Sequence, residues 1–181
     1  MCQAGSQTSD RCAGVKTGLG IGFSAFWRVN PYFAWGGGID FDGYRYEPPA
    51  RLNLTKPSAA GIFLGFLGRA YFLDHGAIDP YVEVGLGGGV MGTSHDENGE
   101  RYNETGAGPA LRAGGGIDFF LGSRVRLGPS LSYTRVFIDK IRRCPASANN
   151  DCVDLSKTTD GRLNASLMVY ARLTIMLGDE L

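Results

Sequence analysis

The chain has 181 residues, 18 basic and 18 acidic side chains, a formal charge of zero and a mean hydropathy of -0.10. A single domain of this length can bury a full core. Neutral charge without a basic tract argues against a nucleic-acid partner. The absence of any apolar run near 18 residues excludes a transmembrane helix but not a transmembrane barrel. The 28 glycines follow no Gly-X-Y period, which excludes collagen.

Residues 1–15 are polar and unpatterned. From Leu19 an alternation begins, with Leu19, Ile21, Phe23, Ala25, Trp27 and Val29 on one face and glycines, Ser24, Phe26 and Arg28 on the other. After the turn signal Asn30-Pro31, a second run sets Phe33, Trp35, Gly37, Ile39 and Phe41 against Ala34, Gly36, Gly38, Asp40 and Asp42. The third, Ala59 to Leu73, places Ile62, Leu64, Phe66, Ala70 and Phe72 on one face, while Phe63 and Leu67 interrupt the polarity of the other. Its glycines favour strand over helix. The fourth opposes Val82, Val84, Leu86 and Val90 to Tyr81, Glu83 and glycines. The fifth carries Leu111, Ile117 and Phe119 against Arg112 and Asp118, and the sixth Val125, Leu127 and Leu131 against Arg124, Arg126 and Ser130. The last run, Leu163 to Leu177, holds a period of two for fifteen residues. Strands of soluble sheets usually end after about five or six residues.

Connections alternate between short turns at 30–31, 74–79 and 121–123 and long polar segments at 43–57, 92–105 and 138–161. The long segments therefore belong at one end of the strands. Two local cysteine pairs, Cys2/Cys12 and Cys144/Cys152, lie on that side and read as two disulfides of an oxidising compartment. Without CxxC spacing or nearby histidines, no metal site is expected, and no cofactor motif is visible: GLGIGF and GLGGGV lack the following helix of a nucleotide-binding turn.

This glycine-aromatic alternation over residues 16–178, with short turns opposite long loops, resembles the small outer-membrane β-barrel families of Gram-negative bacteria, the porin-like and OmpA-like transmembrane domains. The resemblance implies an all-β, antiparallel up-and-down transmembrane β-barrel. Seven strands are visible and eight are expected in the complete protein, because single-chain bacterial barrels have even strand numbers. Residues 1–15 then read as a residual outer loop or disordered N-terminus. A first strand and a signal peptide are expected upstream of Met1, with closure by seven strands, or by irregular pairing of residues 1–15, as the alternatives. The localisation implied is the cell outer membrane, with outer-membrane lipid as partner and a surface partner at loops 43–57, 92–105 and 138–161. A monomer is the favoured state.

Inside such a barrel, Arg28, Asp40, Arg69, Glu83, Arg112, Asp118, Arg124, Arg126 and Arg172 are expected to point inward and to pair, since buried charges need partners. Glu83 with Arg112, on neighbouring strands, is the leading pair. Three functions compete: an outer-membrane module with a structural or surface-interaction role, a narrow pore or transport protein for small solutes, and a soluble β-barrel carrier of an apolar ligand. Catalysis is not expected. Ser94, His95 and Asp96 are chain neighbours in a loop, and His75 lies in a turn on the other side.

Overall fold

The computed structural model describes residues 16–44, 55–73, 78–97, 100–138, 140–146, 152–156 and 165–177. These form nine strands: β1 Lys16–Asn30, β2 Phe33–Tyr44, β3 Thr55–Tyr71, β4 Ile78–Glu97, β5 Glu100–Phe120, β6 Val125–Val136, β7 Lys140–Pro145, β8 Val153–Ser156 and β9 Ala165–Leu177. Alternation of apolar with glycine or polar residues drives each long strand, because successive side chains leave a strand on opposite faces. In β6 the alternation is unbroken, exposed and buried by turns from Val125 to Val136.

The sheet runs in the order β4-β3-β2-β1-β9-β6-β5-β7-β8, and β4 also pairs with β5. Each of the seven long strands therefore has a neighbour on both sides. Along β1–β6 the pairings are antiparallel, as is β6 with β9. The pairing of β1 with β9 is parallel, from Lys16↔Ser166 to Trp27↔Leu177. Its cause is parity: seven long strands that reverse direction at each step leave the first and last running the same way.

That seam corrects the expected fold. The protein is all-β with a mixed sheet of nine strands, not the antiparallel up-and-down transmembrane β-barrel of seven visible and eight complete strands. Two of the expected long loops are also largely strand. Segment 92–105 is the continuation of β4 and β5, paired down to Glu97↔Glu100. The His95 and Tyr102 rings stack across it at 6.2 Å, and Ser94 Oγ donates to Asn103 Oδ1 at 2.6 Å. Segment 138–161 contains β7, which pairs with the far half of β5, and β8, which pairs with β7. The Cys144–Cys152 disulfide ties these two together. Polar sequence misled here because the buried face of this extension is built from Thr93 and His95 rather than from an apolar stripe. Cys2, Cys12, His75 and residues 45–54 lie outside the described residues.

The two faces of the sheet differ sharply in chemistry. Outward lie Leu19, 75% exposed, Phe66, 69%, Val84, 65%, and Leu86, 62%, with the Trp27 and Trp35 rings stacked at 5.3 Å. Inward lie arginines, carboxylates, hydroxyls and a few aromatics. Phe63 and Leu67, the residues that broke the polarity of the third run, are buried core. This arrangement is the reverse of a carrier with an apolar lumen, so the expectation of an apolar-ligand carrier is withdrawn.

Candidate functional site

The charged interior is the candidate site, and β1 explains how it fits. Gly18, Gly20 and Gly22 alternate along the inward face of β1. On one flank Gly22 pairs with Asp40 of β2, and on the other with Arg172 of β9. With no side chain between them, Asp40 and Arg172 meet across the glycine: Arg172 Nη2 donates to Asp40 Oδ1 at 2.7 Å. A Cβ on Gly22 would stand 2.3 Å from Asp40 Oδ1 and 2.9 Å from Arg172 Nε. Gly20 likewise separates Asp42 from Tyr170.

Glu83 is the hub. Arg69 Nε donates to its Oε2 at 2.7 Å, and Arg172 Nη1 donates to its Oε1 at 2.8 Å and its Oε2 at 3.0 Å. Arg112 Nε lies 3.2 Å from Oε1, and the Arg112 guanidinium also pairs with Asp40. Arg69 reaches further, donating through Nη1 to Asp118 Oδ2 and to Thr174 Oγ1, each at 3.1 Å. Its guanidinium lies between the rings of Phe26, 4.2 Å away, and Tyr81, 4.0 Å away. Arg112 stands over the Tyr170 ring at 4.9 Å. A flat cation between two ring faces is electrostatically favoured and sheds its water at less loss than an ammonium would.

A second cluster lies toward the short turns. Asp79 Oδ2 accepts from Arg28 Nη2 and from Arg126 Nη1, each at 3.1 Å. Arg28 Nε also donates to the carbonyl of Pro31 at 3.1 Å, which anchors the β1–β2 turn. Farther along, Asp42 Oδ2 accepts from Tyr44 Oη at 2.8 Å. Burial pushes the Asp42, Asp79 and Asp118 carboxyls above the usual aspartate value. For Asp79, Arg28 and Arg126 pull the other way, and burial prevails. Burial also pushes the Tyr81 phenol up to about 12, so it stays a neutral donor.

Of the nine charges expected inside, Asp40, Arg69, Glu83, Arg112, Asp118, Arg126 and Arg172 are buried, and Arg28 is half-buried. Arg124 is the correction: it is exposed, because it precedes β6 in the turn segment after Phe120. Glu83 and Arg112 do meet, although Glu83 is shared with Arg69 and Arg172. Asp79 was placed in the turn 74–79 and so left out. Parity could have found it, since Asp79, Tyr81 and Glu83 alternate on one strand face. The aromatic sandwich around Arg69 joins residues of three strands and carries no local signature.

Two buried hydroxyls on β6, Ser130 Oγ and Thr134 Oγ1, keep no hydrogen-bond partner among the described residues. Each such group costs about 1–3 kcal/mol when nothing satisfies it. Among the described residues, no three His, Cys, Asp or Glu side chains gather as a metal site. Arginines instead hold Asp40, Asp79, Glu83 and Asp118, and Tyr44 holds Asp42.

No family model, curated protein or solved structure matches the chain. The resemblance to porin-like and OmpA-like domains therefore rests on sequence texture alone, and the mixed sheet with its parallel β1–β9 seam departs from the antiparallel plan it implied. The outer-membrane localisation, the lipid partner, the surface partner at loops 43–57, 92–105 and 138–161, and the membrane-module and pore functions were drawn from that resemblance. They are withdrawn with it. Among the described residues, no helix is long and apolar enough to cross a membrane.

Proposed function

We propose that the protein is a non-catalytic structural module, an all-β frame held from within by ion pairs and used with its outward apolar face covered. The observation that carries this reading is the inversion of the two faces. Inward charges are consumed by one another, with Glu83 alone engaging Arg69, Arg112 and Arg172. A charge so engaged is a poor acid, base or nucleophile, because moving its proton breaks several contacts at once. His95 supports the same reading. It lies buried on one face of β4, while strand alternation directs Ser94 and Asp96 to the other. They cannot act together on one reacting atom.

Outward, an apolar surface of this extent draws together with another apolar surface. Sedimentation velocity is the test. In plain buffer the protein is expected to self-associate, and a non-ionic surfactant above its micelle concentration is expected to return a single small species. A stable, monodisperse monomer in plain buffer would defeat the requirement for a cover. Turnover of any substrate that is abolished by Glu83→Gln in a folded protein would defeat the non-catalytic reading.

A further inference from the structure

We infer that the seam between β1 and β9 is the line along which the sheet opens. A strap of side chains, passing from β2 to β9 over the glycine face of β1, holds it shut. At Gly18, Tyr44 of β2 is hydrogen-bonded to Ser166 of β9. At Gly20, Asp42 is hydrogen-bonded to Tyr170. At Gly22, Arg172 Nη2 donates to Asp40 Oδ1 at 2.7 Å. The glycines make room for these bridges, since a Cβ on Gly20 would stand 2.6 Å from the Tyr170 ring. One step further, Ser24 Oγ lies 3.1 Å from Thr174 Oγ1 across the seam. Arg69 of β3 ends the row, donating to Thr174 Oγ1 at 3.1 Å and to Ser24 Oγ at 3.4 Å.

The backbone beneath the strap is the least secured in the sheet. Its ladder, Lys16↔Ser166 to Trp27↔Leu177, is the one parallel pairing among the described residues. Parallel pairing is slightly weaker per residue than antiparallel. Other neighbouring long strands follow one another along the chain, β6 and β9 by way of β7 and β8. β1 and β9 are the first and last of the described strands, so no connecting segment crosses their seam. β1 also grips weakly by itself. From Gly18 to Trp27 it turns inward only the side chains of Ser24 and Phe26, and an inward glycine packs nothing.

The β3–β4 ladder is the opposite case. It is antiparallel down to Tyr71↔Tyr81, its strands are consecutive, and Arg69 pairs with Glu83 directly across it. At the seam, by contrast, every charged contact is made over the top of β1 by its neighbours. Openings of this kind cost less than global unfolding and are read in amide exchange.

Native-state amide hydrogen exchange on the intact chain is the test. Amides that bond β1 to β9 are expected to exchange at least about tenfold faster than those of the β3–β4 ladder. A cross-link at an outward register pair, Ala25→Cys/Ile175→Cys, is expected to erase that difference. Asp40→Asn is expected to speed the seam amides about tenfold, the usual worth of a hydrogen bond between charged groups. Should that variant fail to fold, Tyr170→Phe is expected to speed them roughly threefold. Val136→Ala, which truncates the core away from the strap, is expected to leave the seam rates unchanged. Seam amides that exchange no faster than the β3–β4 ladder would overturn the inference. So would strap variants that move them no more than Val136→Ala does, or a formed cross-link that leaves the difference in place.

Discussion

The inner and outer faces of this sheet are built by the same strands from alternate residues, yet they are stabilised by opposite chemistry. Inside, Arg69, Arg112 and Arg172 converge on Asp40, Glu83 and Asp118. Outside, Leu19, Phe66, Val84 and Leu86 stand largely uncovered. Interior contacts depend on geometry, since a buried charge is tolerable only when its partners stand within hydrogen-bond reach. The outer contacts depend on area and shape only weakly. A substitution inside should therefore act on folding, and one outside on association.

The largest effect is expected at Glu83. Glu83→Gln leaves three buried arginines short of a countercharge and should destabilise the fold by about 3–5 kcal/mol in chemical denaturation. Loss of the Cys144–Cys152 bridge comes next. Cys144→Ser releases a link across a sequence separation of 8, where chain entropy alone predicts about 2.5 kcal/mol. The faster amide exchange should be confined to β7, β8 and the far half of β5, because the bridge ties only that arm. Gly22→Ala drives a methyl into the Asp40–Arg172 pair and should cost about 1–3 kcal/mol, the usual range for overpacking. On the outer face, Phe66→Ser should change folding stability by no more than about 0.5 kcal/mol while visibly reducing self-association in sedimentation. A large loss of stability there would break the comparison.

The smallest effect concerns pH. Burial raises the Asp42 carboxyl above its unfolded value, so the folded state keeps its proton longer as pH rises. Its contribution to stability is full below the ordinary aspartate pKa of about 3.9 and is lost as pH climbs through the raised value. Between neutrality and about pH 4, the Asp42 contribution should therefore grow on acidification, by a few tenths of a degree to a few degrees in Tm. Asp42→Asn should remove that part of the slope.

Face assignments were legible in the sequence wherever the alternation was regular. Leu19, Ile21 and Phe23 stand outward and Ser24 and Phe26 inward, as a period of two requires. Direction was legible too, although its consequence is a matter of parity: an odd number of reversing strands brings β1 and β9 together in parallel. The paired arm of β4, β5, β7 and β8 was not legible. Its stability comes from cross-strand contacts such as His95 on Tyr102 and from the disulfide, none of which leaves a hydrophobic period. At the site, the arginines and the acids of β2, β4 and β5 could be read from strand position. Which of them share Glu83 could not, because Arg69, Arg112 and Arg172 come from three strands and meet only when the sheet curls. Arg124 was misplaced because its parity was extended one residue past the start of β6.

The most direct test of the ion-paired interior is a double-mutant cycle on Glu83 and Arg172, using Glu83→Gln, Arg172→Met and the pair, with stability from denaturant unfolding. If the two side chains form one structural unit, the losses will be non-additive by about 1–3 kcal/mol, the double variant being less damaged than the sum of the singles. Additivity within about 0.5 kcal/mol would contradict the account, because it would mean that the charges are buried side by side without holding one another.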